Sequence, residues 1–303
     1  MMKKTTFQQE MSALFPEIVM NFGEPMSKHT SFRIGGNVEI MAFPKNAEEI
    51  KKLRHYAELR NIPCRILGAG TNVLAPDEEI PGMVICLKDC LDGIQVLDDC
   101  RLRVYAGVTM TKAAVYAAVH NLGGLEFAHG IPGTVGGGVY MNAGAYGGEI
   151  CQICESVDVL TKEGELRTYS CEDMGFSYRH SRLEDDGGIV ISAVFALAEK
   201  PEAEIRLEMQ ELMKRRSASQ PLDLPSAGSA FKRPVGGYAA ALIDQSGLKG
   251  FRVGNAAISE KHAGFAVNLG GATALDVRKL LNRVSDIVFE KTGIRLEPEV
   301  RIW

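Results

Sequence analysis

The sequence predicts an α+β fold in two domains. Three observations carry that expectation. Apolar residues recur at helical spacing in some stretches and at alternate positions in others, without a regular strand-helix-strand repeat, which disfavours a doubly wound sheet. The 303 residues, 46% of them hydrophobic, suffice for about two cores. Glycine is concentrated: of 32, eight fall between Gly130 and Gly148. They alternate with Ile, Val, Tyr, Met and Asn rather than with the Ser and Glu of a flexible linker. Glycine there serves close backbone approach or a left-handed conformation.

Taken in order, the elements follow local chemistry. A first helix is expected over about Thr6 to Phe15, packed on the first domain. Asn46 caps a helix to Arg60, Glu49 completes its capping box, and Ile50, Leu53 and Ala57 share its inner face. Cys64–Leu67, Met83–Leu87 and Arg101–Ala106 read as strands, and Thr111–Leu122 as a helix stopped by Gly123-Gly124. Strands follow at Ser156–Thr161, Glu165–Tyr169 and Ile189–Leu197. Pro201 opens a charged helix to about Ser217, with Ile205, Met209, Leu212 and Met213 as its apolar face. The last third predicts a helix at Tyr238–Asp244, a strand at Phe265–Asn268, and a long helix from the Thr273 cap to Thr292, ended by Gly293. Pro298 and its apolar neighbours suggest an ordered strand in Leu296–Trp303.

Composition excludes several functions. Lys+Arg is 34 against Asp+Glu 38, a net charge of −4, which argues against nucleic-acid binding. No apolar run reaches the roughly 18 residues of a membrane span. Met1–Glu10 has Lys3 and Lys4 but no apolar stretch behind them, so it does not read as a secretory signal, and a cytoplasmic location is expected. Seven cysteines, an odd number, read as reduced thiols. Cys151 and Cys154 have C-x-x-C spacing but lack the second pair of a zinc ribbon; no metal is expected. A redox pair is one reading, and two small buried residues the plainer one.

Five segments have the residue types of chemistry. Gly68-Ala69-Gly70-Thr71-Asn72 follows a strand, where a turn aims backbone N–H groups at a phosphate; Val73 and Pro76 exclude a Rossmann loop. Gly130–Gly148 is a second glycine-rich loop, and two such loops in one domain suggest a dinucleotide pyrophosphate. Phe176–Arg182 places Arg179 beside Tyr178, and an Arg clamps a carboxylate through paired hydrogen bonds. Ser226–Pro234 surrounds Ser229 with small residues and adds Lys232 and Arg233, which suit a phosphate. Leu296–Arg301 carries two glutamates and an arginine. Each of the last three reads equally as a solvated surface segment on its own.

Together these segments resemble one family closely, the UDP-N-acetylenolpyruvoylglucosamine reductases, from about His29 to Trp303. The matching stretches are Thr30–Gly36, Gly68–Asn72, Gly130–Gly148, Tyr178-Arg179, Gly228–Pro234, Ser259–Phe265 and Leu296–Arg301. The resemblance implies an FAD-binding domain of the vanillyl-alcohol-oxidase (PCMH) type over 28–199, behind an N-terminal helical segment 1–27. A smaller α+β substrate-binding domain follows over 200–303, its last strand returning to the active site. It implies NADPH-dependent, FAD-mediated reduction of UDP-N-acetyl-3-O-enolpyruvylglucosamine to UDP-N-acetylmuramate, in peptidoglycan precursor synthesis and hence cell-wall biogenesis, cell shape and division. A cytoplasmic monomer is implied. FAD is expected to be non-covalent, since Gly68–Asn72 holds no histidine or cysteine.

By motif, the implied catalytic residues are Arg179 (enolate stabilisation), Ser229 (proton donor) and Glu299 (orienting that network). Implied cofactor contacts are Arg33, the run Gly68, Ala69, Gly70, Thr71, Asn72 and Val73, the run Gly130, Ile131, Pro132, Gly133 and Thr134, then Gly137, Asn142, Gly144 and Arg301. Tyr178, Lys232, Arg233 and His262 are the substrate contacts. Phe231-Lys232-Arg233-Pro234 looks like the family's shorter type, without an inserted tyrosine loop; Arg233 stands where the other type often has Asn. The competing readings are another FAD-dependent oxidoreductase of the same fold, such as an oxidase, and a non-catalytic nucleotide-binding module that would not need Arg179, Ser229 and Glu299.

Overall fold

Met2–Leu14 forms the first helix, α1, in a computed structural model that describes residues 2–303 and, within this helix, side chains from Phe7 onward. It starts earlier than Thr6, and its Met11 is buried. The chain then divides into two compact units. The first comprises residues up to Gly23, Glu39–Ala69 and Pro81–Lys214; the second comprises Glu24–Val38, Gly70–Ile80 and Arg215–Trp303. This differs from a division at 28 and 200. Residues 1–23 are part of the first unit rather than a separate segment, and two short early segments belong to the second.

The first unit has two sheets. One orders its strands Val19–Pro25, Asn37–Phe43, Ile80–Cys86 and Cys64–Leu67, the last two paired parallel. The other is antiparallel, in the order Leu166–Ser170, Cys154–Leu160, Ile189–Ala196, Arg101–Tyr105 and Ile94–Val96. Side chains from both, among them Ile40, Ile85, Val104, Val157 and Phe195, share one core. Helix α2 (Ala47–Leu59) adds Ile50, Leu53 and Ala57 to that core. The Asn46 side chain accepts from Glu49 N–H, the cap expected of that pair.

Helix α3 is Met110–Val119, capped by Thr109, and stops short of Leu122 because Leu122–Gly123 pairs as a strand with Ala198–Glu199. The glycine segment contains a helix that its composition hid: α4, Val135–Tyr140, capped by the Thr134 hydroxyl. A short α5 (Leu183–Asp186) precedes the Ile189 strand. The charged helix α6, Glu202–Ser219, buries Ile205 and Met209, while Leu212 and Met213 are only half-buried. The buried Glu126 carboxylate takes the Lys200 ammonium at 2.8 Å, and Lys200 also reaches Glu208. Burial pushes the Glu126 carboxyl up, but Lys200 and nearby backbone N–H groups outweigh that and hold it below the usual carboxylate range.

The second unit is a four-stranded antiparallel sheet, in the order Ser226–Ser229, Phe265–Asn268, Ala256–Ile258 and Arg252–Val253. Helix α7 (Ala239–Gln245) and the long α8 (Ala274–Thr292) complete it. Strand alternation divides its faces: Ala256, Ile258 and Ala266 join the helical core, while Ala257, Phe265 and Val267 cluster with Leu224. Thr273 and Asp276 form a capping box on α8, and Gly293 ends it in the left-handed conformation. The Asp77 carboxylate accepts from Ala274 and Leu275 N–H, which fixes the Gly70–Ile80 segment to this helix start. No described helix is long and apolar enough to cross a membrane.

Candidate active site

In the first unit the two glycine-rich segments meet. The strand Cys64–Leu67 runs into Gly68, where a β-carbon would lie 2.6 Å from Thr134 Oγ1. Thr134 uses that oxygen to accept from Gly137 N–H at 3.3 Å. The three consecutive glycines of α4 then divide their work. A β-carbon on Gly136 would stand 2.8 Å from Ala106 Cβ, and one on Gly138 2.9 Å from Met110 Sδ, so these two permit packing inside the unit. Gly137 is exposed. Not every amide of this loop is available to a ligand: Ile131, Val135 and Gly136 N–H donate to Ala128, Val108 and Ala106 carbonyls. His129 Nδ1 is buried with no hydrogen-bond partner among the described residues, and burial lowers the imidazole's pKa.

Beyond α4, Asn142 is 1% exposed. Its Oδ1 accepts from Cys151 N–H at 3.0 Å, and its Nδ2 donates to Glu149 Oε2 at 3.0 Å and to Ser177 O at 3.1 Å. Its side-chain amide is therefore spent on bonds inside the protein. Ser177 and His180 exchange backbone hydrogen bonds around a tight turn whose central residues are Tyr178 and Arg179. Arg179 takes φ 57, a left-handed conformation usually left to glycine at this turn position. Its guanidinium lies 5.0 Å from the Tyr178 ring centroid and donates to Gly144 O at 3.3 Å. Cys154 is buried and its thiol pushed up to about 12 by burial, which fits the plain reading of the C-x-x-C pair better than the redox one.

In the second unit Gly70 has φ 61, and a β-carbon there would lie 2.0 Å from His29 O. This glycine thus serves a backbone crossing with the Thr30–Gly36 segment, tied by Ser31 N–H to Gly70 O. The Ser31 hydroxyl donates to Ser226 O at 2.6 Å. Arg33 is exposed with φ 56. Asn72 Nδ2 donates to Glu299 O at 3.2 Å, and Val73-Leu74 pairs parallel with Arg301-Ile302. Ser229 is exposed at the end of its strand. The next residues pair with the chain terminus: Glu299 N–H donates to Ala230 O and Lys232 N–H to Glu297 O. Glu299 is thereby set beside the residue next to Ser229. Lys232 faces Glu297 at 3.7 Å, and Arg233 stacks over Tyr238 at 4.7 Å.

His262, expected as a substrate contact, is half-buried in the second unit. Its Nδ1 accepts from Gly264 N–H, its ring lies edge-on to Phe265, and burial lowers its pKa, so it is uncharged at neutral pH. The structure collects Gly68, Thr134, Gly137, Gly144, Tyr178 and Arg179 in the first unit, and Asn72, Ser229, Lys232, Glu299 and Arg301 in the second. Two supporting hydroxyls escaped sequence reasoning: Ser31, and the buried Ser181, which donates to Tyr140 O at 2.8 Å. Neither has a pattern that separates it from any other serine.

A glycine-loop crossing on a strand-rich unit, followed by a smaller α+β unit in which Glu299 pairs with the residue after Ser229, is the layout expected of a flavin-dependent oxidoreductase of two parts. The comparisons agree. An FAD binding domain family matches residues 38–170, and the family described as UDP-N-acetylenolpyruvoylglucosamine reductase, C-terminal domain, matches residues 220–303. Relatives called UDP-N-acetylenolpyruvoylglucosamine reductase include those of Streptococcus pneumoniae strain JJA, 44% identical, and strain CGSP14, 43% identical, each over 97% of both chains. The crystal structure of the same reductase from Thermus caldophilus is 37% identical and superposes with a TM-score of 0.81, covering 95% of this chain and 99% of that one. The chain belongs to the UDP-N-acetylenolpyruvoylglucosamine reductase family, with an FAD-binding domain over its first part.

The residues present fit a flavin dinucleotide. Gly137 is exposed, with no neighbour but Thr134 Oγ1 within 4 Å of where its β-carbon would stand, and His129 Nδ1 is a buried polar atom left for a partner.

Proposed function

We propose that the chain reduces UDP-N-acetyl-3-O-enolpyruvylglucosamine to UDP-N-acetylmuramate with NADPH, as a cytoplasmic monomer in peptidoglycan precursor synthesis. Bound FAD would supply the transfer of hydride from NADPH to the terminal carbon of the enolpyruvyl group. Arg179 stabilises the negative charge that develops on the adjacent carbon and its carboxylate, as preorganised cations do at oxyanions. Ser229 Oγ gives its proton to that carbon; the enolate is a strong enough base for a hydroxyl to serve. Glu299 orients and polarises Ser229. Lys232 and Arg233 meet the diphosphate, and Tyr178 the sugar-side groups. Gly68, Gly137 and the atoms around Thr134 hold FAD without a covalent bond, with Arg33 and Arg301 as its counter-charges.

The observation that carries this reading is the backbone register that sets Glu299 against Ala230, with Asn72 holding the Glu299 carbonyl. It sets Glu299 against the residue that follows Ser229, which supports a serine donor assisted by a carboxylate, a pair that an oxidase or a passive nucleotide binder has no need of. Oxygen-free absorption spectroscopy of the purified protein tests it. The expected yellow protein bleaches with NADPH and recovers its colour on adding the enolpyruvyl nucleotide. Recovery with air alone would replace this reading with an oxidase.

A further inference from the structure

We propose that Asn142 is a positioning residue for Arg179, acting through the turn that carries it. The inference rests on the assignment of Arg179 to the enolate and deepens it. Asn142 has one amide orientation open to it: Cys151 N–H only donates, while Glu149 Oε2 and Ser177 O only accept. The carboxamide therefore links the loop after α4 to Ser177, the first residue of the Tyr178-Arg179 turn. Two further ties join the same stretches, from Arg179 Nη2 to Gly144 O and from the buried Ser181 hydroxyl to Tyr140 O.

These ties have something to hold. Arg179 at φ 57 sits in the left-handed region, which residues other than glycine and asparagine keep only when their surroundings impose it, while Asn142 at φ 42 adopts the same region readily. A turn of exposed Ser177 and Tyr178 has little apolar burial of its own to fix it. Asn142, 1% exposed and with both amide hydrogens directed at acceptors, supplies the constraint from beneath. Removing it leaves the guanidinium in place chemically but free to leave the geometry that charge stabilisation requires.

The test is a double-mutant cycle on the flavin-loaded enzyme, with each half-reaction followed anaerobically by stopped-flow absorbance. Asn142→Ala is expected to slow reoxidation by the enolpyruvyl nucleotide about 100-fold, the scale of a misplacement of roughly 1 Å, with flavin content and the rate of reduction by NADPH retained. In an Arg179→Ala background the same substitution is expected to change reoxidation by less than about threefold, because the group it positions is gone. An equal loss in both backgrounds, or no loss beside Arg179, overturns the proposal. If Arg179→Ala alone reoxidises at the parental rate, the Arg179 assignment fails first and this inference falls with it. Should Asn142→Ala not retain flavin, Asn142→Asp carries the same test: it keeps the shape, cannot donate to Ser177 O, and sets a second carboxylate against Glu149.

Discussion

The turn that carries Arg179 and the paired segments that carry Ser229 and Glu299 are held in place by different bonds. Arg179 depends on side chains: Asn142 on Ser177 O, Ser181 on Tyr140 O, and its own guanidinium on Gly144 O. Ser229 and Glu299 depend mainly on backbone: Ala230 accepts from Glu299 N–H and donates to Gly264 O, and Lys232 N–H donates to Glu297 O, with one side-chain tie from Asn72 to the Glu299 carbonyl. The first arrangement can be undone by one substitution away from the reacting groups. The second tolerates changes of side chain, because every residue but proline brings the same N–H and C=O.

The sharpest way to separate the two is to remove one catalytic group from the backbone-held pair. Ser229→Ala leaves the register intact, since no hydrogen bond of that register uses the serine hydroxyl. Reduction of the enolpyruvyl group is expected to fall about 1,000-fold, within the range of general acid catalysis, while flavin reduction by NADPH persists. Equal loss of both half-reactions would mean that Ser229 holds the structure and does not deliver the proton.

A second break acts where the Gly68 backbone meets the Thr134 side chain. Gly68→Ala drives a β-carbon to 2.6 Å from Thr134 Oγ1, the atom that caps α4. The cost is expected to be about 2–3 kcal/mol of stability, with flavin lost on gel filtration, because the loop must move from its partner. Retained flavin and an unchanged Tm would show the crossing to be looser than its geometry.

A charge tether gives a control remote from both regions. Lys200 holds the buried Glu126 carboxylate, yet Lys200 is 29% exposed, so water offsets part of its loss. Lys200→Met is expected to cost about 2 kcal/mol at neutral pH. The folded pKa of Glu126 lies below its unfolded value, so its stabilisation is full above the unfolded pKa and is lost as pH falls through the folded one. His262 has the same sign: buried neutral, it stabilises above its unfolded pKa and ceases to do so on acidification. Urea melts from neutral pH downward should show the Lys200→Met deficit closing as Glu126 protonates. A deficit constant in pH would assign Lys200 to packing alone.

How much of this was legible follows from where each signal lies. The α2 capping box and its Ile50, Leu53 and Ala57 face were readable because cap and period are local. So were the α8 cap at Thr273 and its stop at Gly293. Helix α4 was not, because its glycines have low helix propensity and are set there by Ala106 and Met110, contacts far along the chain. The compact units fall elsewhere than at 28 and 200 for the same reason: Gly70–Ile80 groups with α8 through Asp77, nearly 200 residues away. The site residues came from motif resemblance, which names positions but not bonds. It could not tell that Asn142 is spent on Ser177, that Asn72 reaches the Glu299 carbonyl, or that His262 is neutral.

The smallest expected effect tests the backbone side of the comparison. Glu297 contributes its carbonyl to Lys232 N–H and, separately, its carboxylate to the Lys232 ammonium at 3.7 Å. That ion pair is 40% and 75% exposed on its two side chains, where such contacts are worth at most about 1 kcal/mol. Glu297→Ala keeps the carbonyl and deletes only the pair. If backbone register is what sets Ser229 beside Glu299, reoxidation by the enolpyruvyl nucleotide should stay within about threefold of the parent. Its KM should fall slightly, if at all, because Lys232 is released for the diphosphate. A loss comparable to that of Asn142→Ala would show that this pairing, too, is held by its side chains, and the contrast between the two regions would disappear.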